Sequence, residues 1–298
     1  MPARIVPVSD ATLREAVARL RGGRLVAFPT ETVYGLGAHA LDPEAVARIY
    51  AAKGRPARNP VIVHIPTIDD AKALATNWTD AAMRLATRFW PGPLTLVVEK
   101  APCVPDIVSA GGATVGLRVP DHPVAAELLR RAGVPVAAPS ANRSEEVSPT
   151  TAQHVADSLG AFVDDLLILD GGPCRVGIES AVVDATVEPP RVLRPGTLLA
   201  DALGAVLAET APTGDVLRAP GQLARHYAPR KRVLLVEPGD TTATLRLGDD
   251  PERFAAGLYA ALRMLDADPA VTSIRVERPP QTAAWTAVRD RLLRAATP

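Results

Sequence analysis

The sequence predicts an α/β protein: an open, twisted, mixed sheet with helices, followed by a small C-terminal α/β domain. Three observations carry this. Over the first two-thirds of the 298 residues, short apolar runs alternate with amphipathic stretches of helical period. Residues 209–230, ETAPTGDVLRAPGQLARHYAPR, interrupt the pattern with Pro, Gly and Ala and no clear period, as a linker does. Beyond them a strand–helix–strand–helix pattern resumes. The expected domains are 1–208, a linker at 209–230, and a C-terminal unit at 231–298.

Expected strands in the first domain are Leu25–Phe28, Val61–Ile65, Leu94–Glu99, Val115–Val119, Val134–Ala138, Leu166–Leu169, Ala181–Asp184 and Arg191–Leu193. Helical segments fall near 10–20, 43–53, 80–89, 123–132, 150–159 and 198–208. The segment at 43–53 is the best punctuated: Asp42 can cap it, Pro43 fits its first position and Gly54 can end it. Lys53 then stands in the last turn and Arg55 just outside. In the C-terminal unit, 233–238 and 272–277 read as strands, 251–266 and 283–296 as helices.

Apolar residues make up 47% of the chain, enough for a substantial core. The 33 Lys and Arg balance the 33 Asp and Glu. Zero net charge argues against binding nucleic acid or an anionic membrane by charge alone. The two cysteines, Cys103 and Cys174, form no CxxC pair, which argues against a disulfide framework or a cysteine zinc site. The start lacks the apolar core of a signal peptide, and no apolar run reaches the ~18 residues of a membrane span. A soluble, cytoplasmic protein is the expectation.

Four stretches carry chemistry. In FPTETVYGLG, residues 28–37, an apolar run meets a proline and then Thr30, Glu31, Thr32 and Tyr34. Its Gly35-Leu36-Gly37 imitates a dinucleotide fingerprint, but the glycines neither follow the strand directly nor open a helix. In KGRPARNPVIVHI, residues 53–65, Lys53 and Arg55 stand close, followed by Asn59 and His64. Such a pair is either a solvated basic turn answering the helix's negative end or a phosphate clamp. VAAPSANRSEEVSPT, residues 136–150, sets Ser140, Asn142, Ser144 and Ser148 after a short strand. This is a plain polar loop or a phosphate cradle. GIESAVVD and VLRPG place Ser180 and Arg194 at strand ends, and Arg118 lies within an apolar run. Buried arginines need an anion or a carboxylate, for which Glu179 and Asp121 are candidates. Several strands thus end in proline or glycine and then in hydroxyls or cations, a pattern that gathers polar groups on one concave rim. With no nucleophile set evident, phosphoryl chemistry by positioning and charge stabilisation fits.

In order and spacing, FPTETVYGLG, KGRPARNPVIVHI, WPGPLTLVV, GLRVPDHP, PVAAPSAN, GIESAVVD and RVLRPG resemble the YrdC-domain family. APGQLARHYAP resembles the linker of its longer, two-domain members, which are L-threonylcarbamoyladenylate synthases. The resemblance implies a YrdC-like twisted open sheet with a concave cavity. It also implies a nucleotidyltransferase reaction: L-threonine, bicarbonate or CO2, and ATP give threonylcarbamoyl-AMP and diphosphate. The product passes to a separate complex that completes the t6A modification of tRNA. Carried over position by position, the resemblance assigns Thr32, His64, Arg118, Ala138 and Ser180 to L-threonine. It assigns Arg55, Asn59, Thr114, Ser140, Asn142, Ser148, Arg194 and Tyr227 to ATP, with Lys53 adding charge. Lys53 and Arg55 are the implied catalytic cations, Mg2+ arrives with ATP, and no protein-bound metal is implied. Tyr227 would close over the nucleotide as a lid. The C-terminal unit is shorter than the Rossmann-like appendage the resemblance implies. Two alternatives share the fold: a double-stranded-RNA-binding module, and the carbamoyl-transfer domain of hydrogenase maturation proteins. Zero net charge disfavours the first, although weak RNA binding is compatible with the fold; the lack of zinc-finger cysteines disfavours the second.

Overall fold

The computed structural model describes residues 2–207 and 225–297. Much of the sequence-predicted linker therefore lies outside the described residues. The chain opens with β1 (Arg4–Pro7) and α1 (Asp10–Arg21), followed by the hairpin β2 (Val26–Phe28) and β3 (Gly35–His39). Next come α2 (Pro43–Lys53), β4 (Ile62–His64), α3 (Ile68–Ala73), β5 (Ala75–Asn77), α4 (Asp80–Phe89) and β6 (Leu94–Lys100). Then follow α5 (Asp106–Ser109), β7 (Thr114–Arg118), α6 (Pro123–Ala132), β8 (Val136–Ala137), α7 (Ala152–Leu159) and β9 (Leu167–Asp170). The first domain closes with β10 (Ala181–Asp184), β11 (Arg191–Arg194), α8 (Ala200–Leu203) and β12 (Val206–Leu207). One mixed sheet runs β1-β9-β2-β3-β8-β4-β7-β6-β10-β11-β12, with β5 added on β6.

Strand alternation divides this sheet into two unlike faces. Val63, Leu96, Leu117 and Val183 point to the main apolar core, with Val46 and Ile49 of α2 and Leu85 of α4. The alternate residues face the other way. Register sets His64 beside Arg118 and Ile62 beside Gly116. Val97 lies beside Gly116, Glu99 beside Thr114, and Val182 beside both Thr95 and Arg194. A row of polar groups thus runs across the floor of the second face.

The strands and main helices follow the sequence pattern, with informative departures. β3 has no β-branched residue, so its sequence does not read as a strand. A Cβ on Gly37 would lie 2.8 Å from the Phe28 ring and 3.0 Å from Val136, so neighbouring side chains fill the space its own would need. The paired strand also removes the dinucleotide reading of Gly35 and Gly37. The helix expected at 198–208 shrinks to α8, because Gly204 adopts a left-handed φ of 56° and the chain turns into β12. β1, β5 and α3, too short for a clear period, also lie outside the expectation.

The C-terminal domain pairs β13 (Val233–Val236) in parallel with β14 (Ile274–Glu277), packed against α9 (Pro251–Ala267) and α10 (Thr286–Ala296). Its core, built on Leu258, Tyr259, Trp285 and Leu292, continues into Val33, Val147, Ile178 and Tyr227. Gly177 permits the contact. It has φ 75°, and a Cβ there would fall 2.5 Å from the Ala256 backbone of α9.

Candidate active site

A cavity of about 50 Å3 opens on the polar face of the sheet, where the end of β2, the end of β7 and residues 138–140 meet. Pro29 stops β2, and the next residues fold into a knot of hydroxyls. Thr30 Oγ1 donates to the Val33 carbonyl (2.7 Å) and lies 2.9 Å from Thr32 Oγ1. Arg118 Nη2 donates to Thr32 Oγ1 (2.9 Å) and lies 2.7 Å from Glu31 Oε1. The Glu31 contact is ionic rather than an aligned hydrogen bond; among the described residues neither carboxylate oxygen has an aligned donor. Glu31 and Arg118 are both buried, so each compensates a charge that would be costly alone. The partner of Arg118 is therefore Glu31, not Glu179 or Asp121; Asp121 pairs with Arg175. Tyr34 braces the far side, donating to the Gly172 carbonyl at 2.8 Å. His64 completes this wall, and burial, followed by the Arg118 charge, pushes its pKa down to about 3. The imidazole is neutral at ordinary pH.

The second group comes from the end of α2. Asp42 caps the helix, Pro43 opens it and Gly54, at φ 59°, ends it. Lys53 turns inward, and its Nζ donates to the carbonyls of Ser140 (2.6 Å) and Asn142. Burial, reinforced by Arg55, holds its pKa well below the usual lysine value. Lys53 therefore anchors the SAN loop from behind and is not on the cavity wall. Arg55 is. Its Nε and Nη2 donate to the Asn59 carbonyl (2.9 Å), Asn59 Oδ1 (2.7 Å) and the Pro60 carbonyl (2.5 Å). These contacts fix the guanidinium plane at the cavity. Asn142 ties its loop by donating to the carbonyls of Arg143 and Glu146, both at 2.8 Å.

The third group surrounds Glu179. Ser148 Oγ donates to Glu179 Oε1 (2.6 Å), while Tyr259 OH and Arg291 Nε donate to Oε2, each at 2.8 Å. Burial alone would raise this carboxyl's pKa; Arg291 and Arg194 outweigh it and bring it to about 2. Next along the chain, Ser180 Oγ lies 2.8 Å from Thr95 Oγ1 and accepts from Arg194 Nη2 at 3.2 Å. From the end of the linker, His226 and Tyr227 close the cavity. Tyr227 stacks on Tyr259 with ring centroids 5.8 Å apart, and Arg291 lies over its ring.

The cavity wall thus brings together Thr32, His64, Arg118, Ala138, Arg55, Ser140, Arg194 and Tyr227 of the sequence-predicted set. Lys53, Asn59, Asn142, Ser148 and Ser180 stand behind it as supports. Thr114 is on the same sheet face, four residues or ~13 Å along β7 from Arg118. Sequence reasoning missed Thr30, His226 and Glu179 as wall residues and Glu31 as the partner of Arg118. The acidic residue inside GIES was the available signal for Glu179.

The Sua5/YciO/YrdC family model, described as telomere recombination, matches residues 18–196, and a threonylcarbamoyl-AMP synthase C-terminal domain model matches residues 198–297. The threonylcarbamoyl-AMP synthase of Pyrococcus abyssi is 39% identical over 325 aligned residues, covering 97% of this chain and 95% of that protein. The chain belongs to this family. The Bacillus subtilis member is 38% identical, with 97% of this chain and 94% of that protein covered. A crystal structure of P. abyssi Sua5 with L-threonine, 38% identical, superposes with TM-score 0.91 over 99% of this chain and 98% of that one. The family activity, threonylcarbamoyl-AMP synthesis, makes the chain an enzyme. Among the described residues no helix is long and apolar enough to cross a membrane.

Proposed function

We propose that the cavity joins L-threonine, CO2 or bicarbonate, and ATP into threonylcarbamoyl-AMP and diphosphate, a nucleotidyl transfer. The observation that carries this is the convergence on one wall of an amino-acid-sized polar pocket, Thr32, His64, Arg118 and Ala138, with the cations Arg55 and Arg194 and the Ser140 turn. The relative solved with L-threonine supports the amino-acid half.

In this reading Arg118, pre-aimed by Glu31 and Thr32, receives the threonine carboxylate, and Thr32, Ala138 and neutral His64 shape the pocket around the side chain. Ser180 holds the adjoining wall through Arg194. The threonine amine adds to CO2, forming the N–C bond and losing a proton. The carbamate oxygen then attacks the α-phosphorus as the bond to diphosphate breaks. Arg55 and Arg194 face the charge that develops, while Lys53, Asn59, Asn142 and Ser148 hold their surroundings. The nucleoside end runs along the floor toward Thr114.

Among the described residues, no group of three or more His, Cys, Asp or Glu is placed to hold a metal. Among the described residues lining the cavity, Glu179 is the one carboxylate, and it accepts from Ser148, Tyr259 and Arg291. In this reading Mg2+ arrives on the nucleotide, and no step is assigned to protein ligands. The cavity is well below the ~300 Å3 of a typical small-molecule site, so ATP entry requires His226 and Tyr227 to withdraw. That gives Tyr227 the part of a lid. The product then serves a tRNA threonylcarbamoyl-transfer complex.

The test is diphosphate release from ATP. The reading expects dependence on both L-threonine and bicarbonate, and loss in Arg55→Ala. Release that needs neither co-substrate, or a covalent enzyme–nucleotide adduct, would overturn it.

A further inference from the structure

We propose that Arg291 of α10, seconded by Tyr259 of α9, is a positioning residue for the adenylate-forming site: the C-terminal domain supplies the fork that fixes Glu179 and the flat charge that orients Tyr227. The proposal rests on the functional reading above and names what the second domain adds to it.

Glu179 is the point where the two domains meet at the cavity. Three donors already hold its oxygens, two of them from the C-terminal domain: Tyr259 OH and Arg291 Nε on Oε2, against Ser148 Oγ on Oε1. Arg291 Nη2 also reaches the Glu179 carbonyl at 3.3 Å. A carboxylate so held is a charge fixed in position. Arg291 is itself 1% exposed, with Nη1 donating to Asp290 at 2.7 Å, so its fork has no other role toward solvent. The same guanidinium lies 5.1 Å from the Tyr227 ring centroid, and Tyr259 stacks with that ring at 5.8 Å between centroids. Tyr227 has φ 59°, an unfavourable conformation for a non-glycine residue, so surrounding contacts must hold it there. Lys53, Arg55, Arg194, His226, Tyr227, Tyr259, Arg291 and Asp290 are titratable and charged groups around this centre. Without Arg291, Oε2 keeps the Tyr259 hydroxyl but loses the guanidinium, and the Nη2 contact to the Glu179 carbonyl is lost with it. Glu179 would then be less firmly placed on the wall, and Tyr227 would lose the charge over its ring.

The experiment compares full-length wild type with Arg291→Met, Arg291→Lys, Tyr259→Phe and the double variant Glu179→Gln/Arg291→Met, with Arg289→Ala on the same helix as control. Diphosphate release is measured from pH 5 to 8 with ATP and threonine varied separately, and threonine binding is measured without ATP. Arg291→Met is expected to lose about tenfold or more in kcat/KM for ATP while threonine affinity stays within about threefold. Its acidic limb should move to higher pH as Glu179 takes up a proton; Arg291→Lys should restore the limb but not the full rate. Should Arg291→Met fold poorly, Tyr259→Phe, which removes one hydroxyl, is expected to show the same ATP-selective loss in smaller degree. Equal losses for ATP and threonine, or lower stability with unchanged KM values and pH profile, would overturn the proposal. A wild type with no threonine-dependent release would instead overturn the functional reading.

Discussion

The two walls of the cavity are built in different ways. The wall around Thr32 is self-contained: Thr30, Glu31 and Thr32 close on Arg118, 86 residues along the chain but in the same domain. The wall around Glu179 is assembled across domains, with two of its partners, Tyr259 and Arg291, on α9 and α10. The first keeps its geometry wherever the catalytic domain is folded. The second exists only when α9 and α10 are docked. An amino-acid pocket is thus pre-organised, and the nucleotide side is made conditional on the second domain. Breaking each wall separately tests that division.

The largest effect belongs to the self-contained wall. Arg118→Ala leaves Glu31 buried without its cation, a loss of about 3–5 kcal/mol for a broken buried pair. Chemical denaturation at pH 7 measures it, and threonine-dependent turnover should vanish along with the stability. A variant as stable as wild type would mean that the ion pair does not hold this wall. Arg118→Ala/Glu31→Gln should recover stability but not activity.

Acid should strike both walls together. His64 and His226, one on each, are held neutral with pKa near 3 against an ordinary 6.5, burial being the main cause in both. The unfolded chain protonates them below about pH 6.5 while the folded chain does not, so stability falls as pH falls toward 3. Two such groups give a slope of about 2.7 kcal/mol per pH unit between roughly pH 6 and 4. Denaturation midpoints across that range should show the slope, and His64→Asn should halve it. A flat profile would show that neither ring is kept neutral.

Both walls were partly legible in the sequence, Thr32, His64 and Arg118 on the first and Ser148, Ser180, Arg194 and Tyr227 on the second, while the roles of Glu31 and Glu179 were not, for a physical reason. Hydroxyls and cations placed just after proline-stopped strands advertise a rim, and Thr32, Arg55, His64, Arg118, Ser140 and Arg194 all stand on it. Depth is not so visible. Lys53 and Arg55 look alike in KGR, yet the helix end turns one ammonium under the SAN loop and the other guanidinium onto the cavity. Nor does a local pattern reveal that Glu179 waits for an arginine on the last helix, since that contact depends on domain docking through Gly177. β3 escaped because its glycines make room for Phe28 instead of presenting side chains of their own.

Lys53 offers a finer cut. Its ammonium binds two loop carbonyls, so Lys53→Met should release the SAN loop and cost about 1–3 kcal/mol in stability, the range for buried polar groups left unpaired. ATP affinity should fall with the loop's order while threonine binding to the first wall is preserved. Equal damage to both substrates would contradict the separation of the walls.

The smallest effect probes the floor that joins them. Thr114 shares a face with Gly116 and Arg118 but lies at the far end of β7, paired with Glu99. If the nucleoside extends along that floor, the Thr114 hydroxyl meets only its outer end. Thr114→Val keeps the shape, suits a strand and removes one neutral hydrogen bond, worth about 0.5–1.5 kcal/mol. The KM for ATP should then rise by about two- to tenfold, with threonine KM and kcat unchanged, because neither the reacting phosphorus nor Arg118 is touched. An unchanged ATP KM would place the nucleoside elsewhere and shorten the site to the cavity itself. A rise in threonine KM would mean that β7 transmits strain along its length to Arg118, so that the floor belongs to the first wall rather than linking the two.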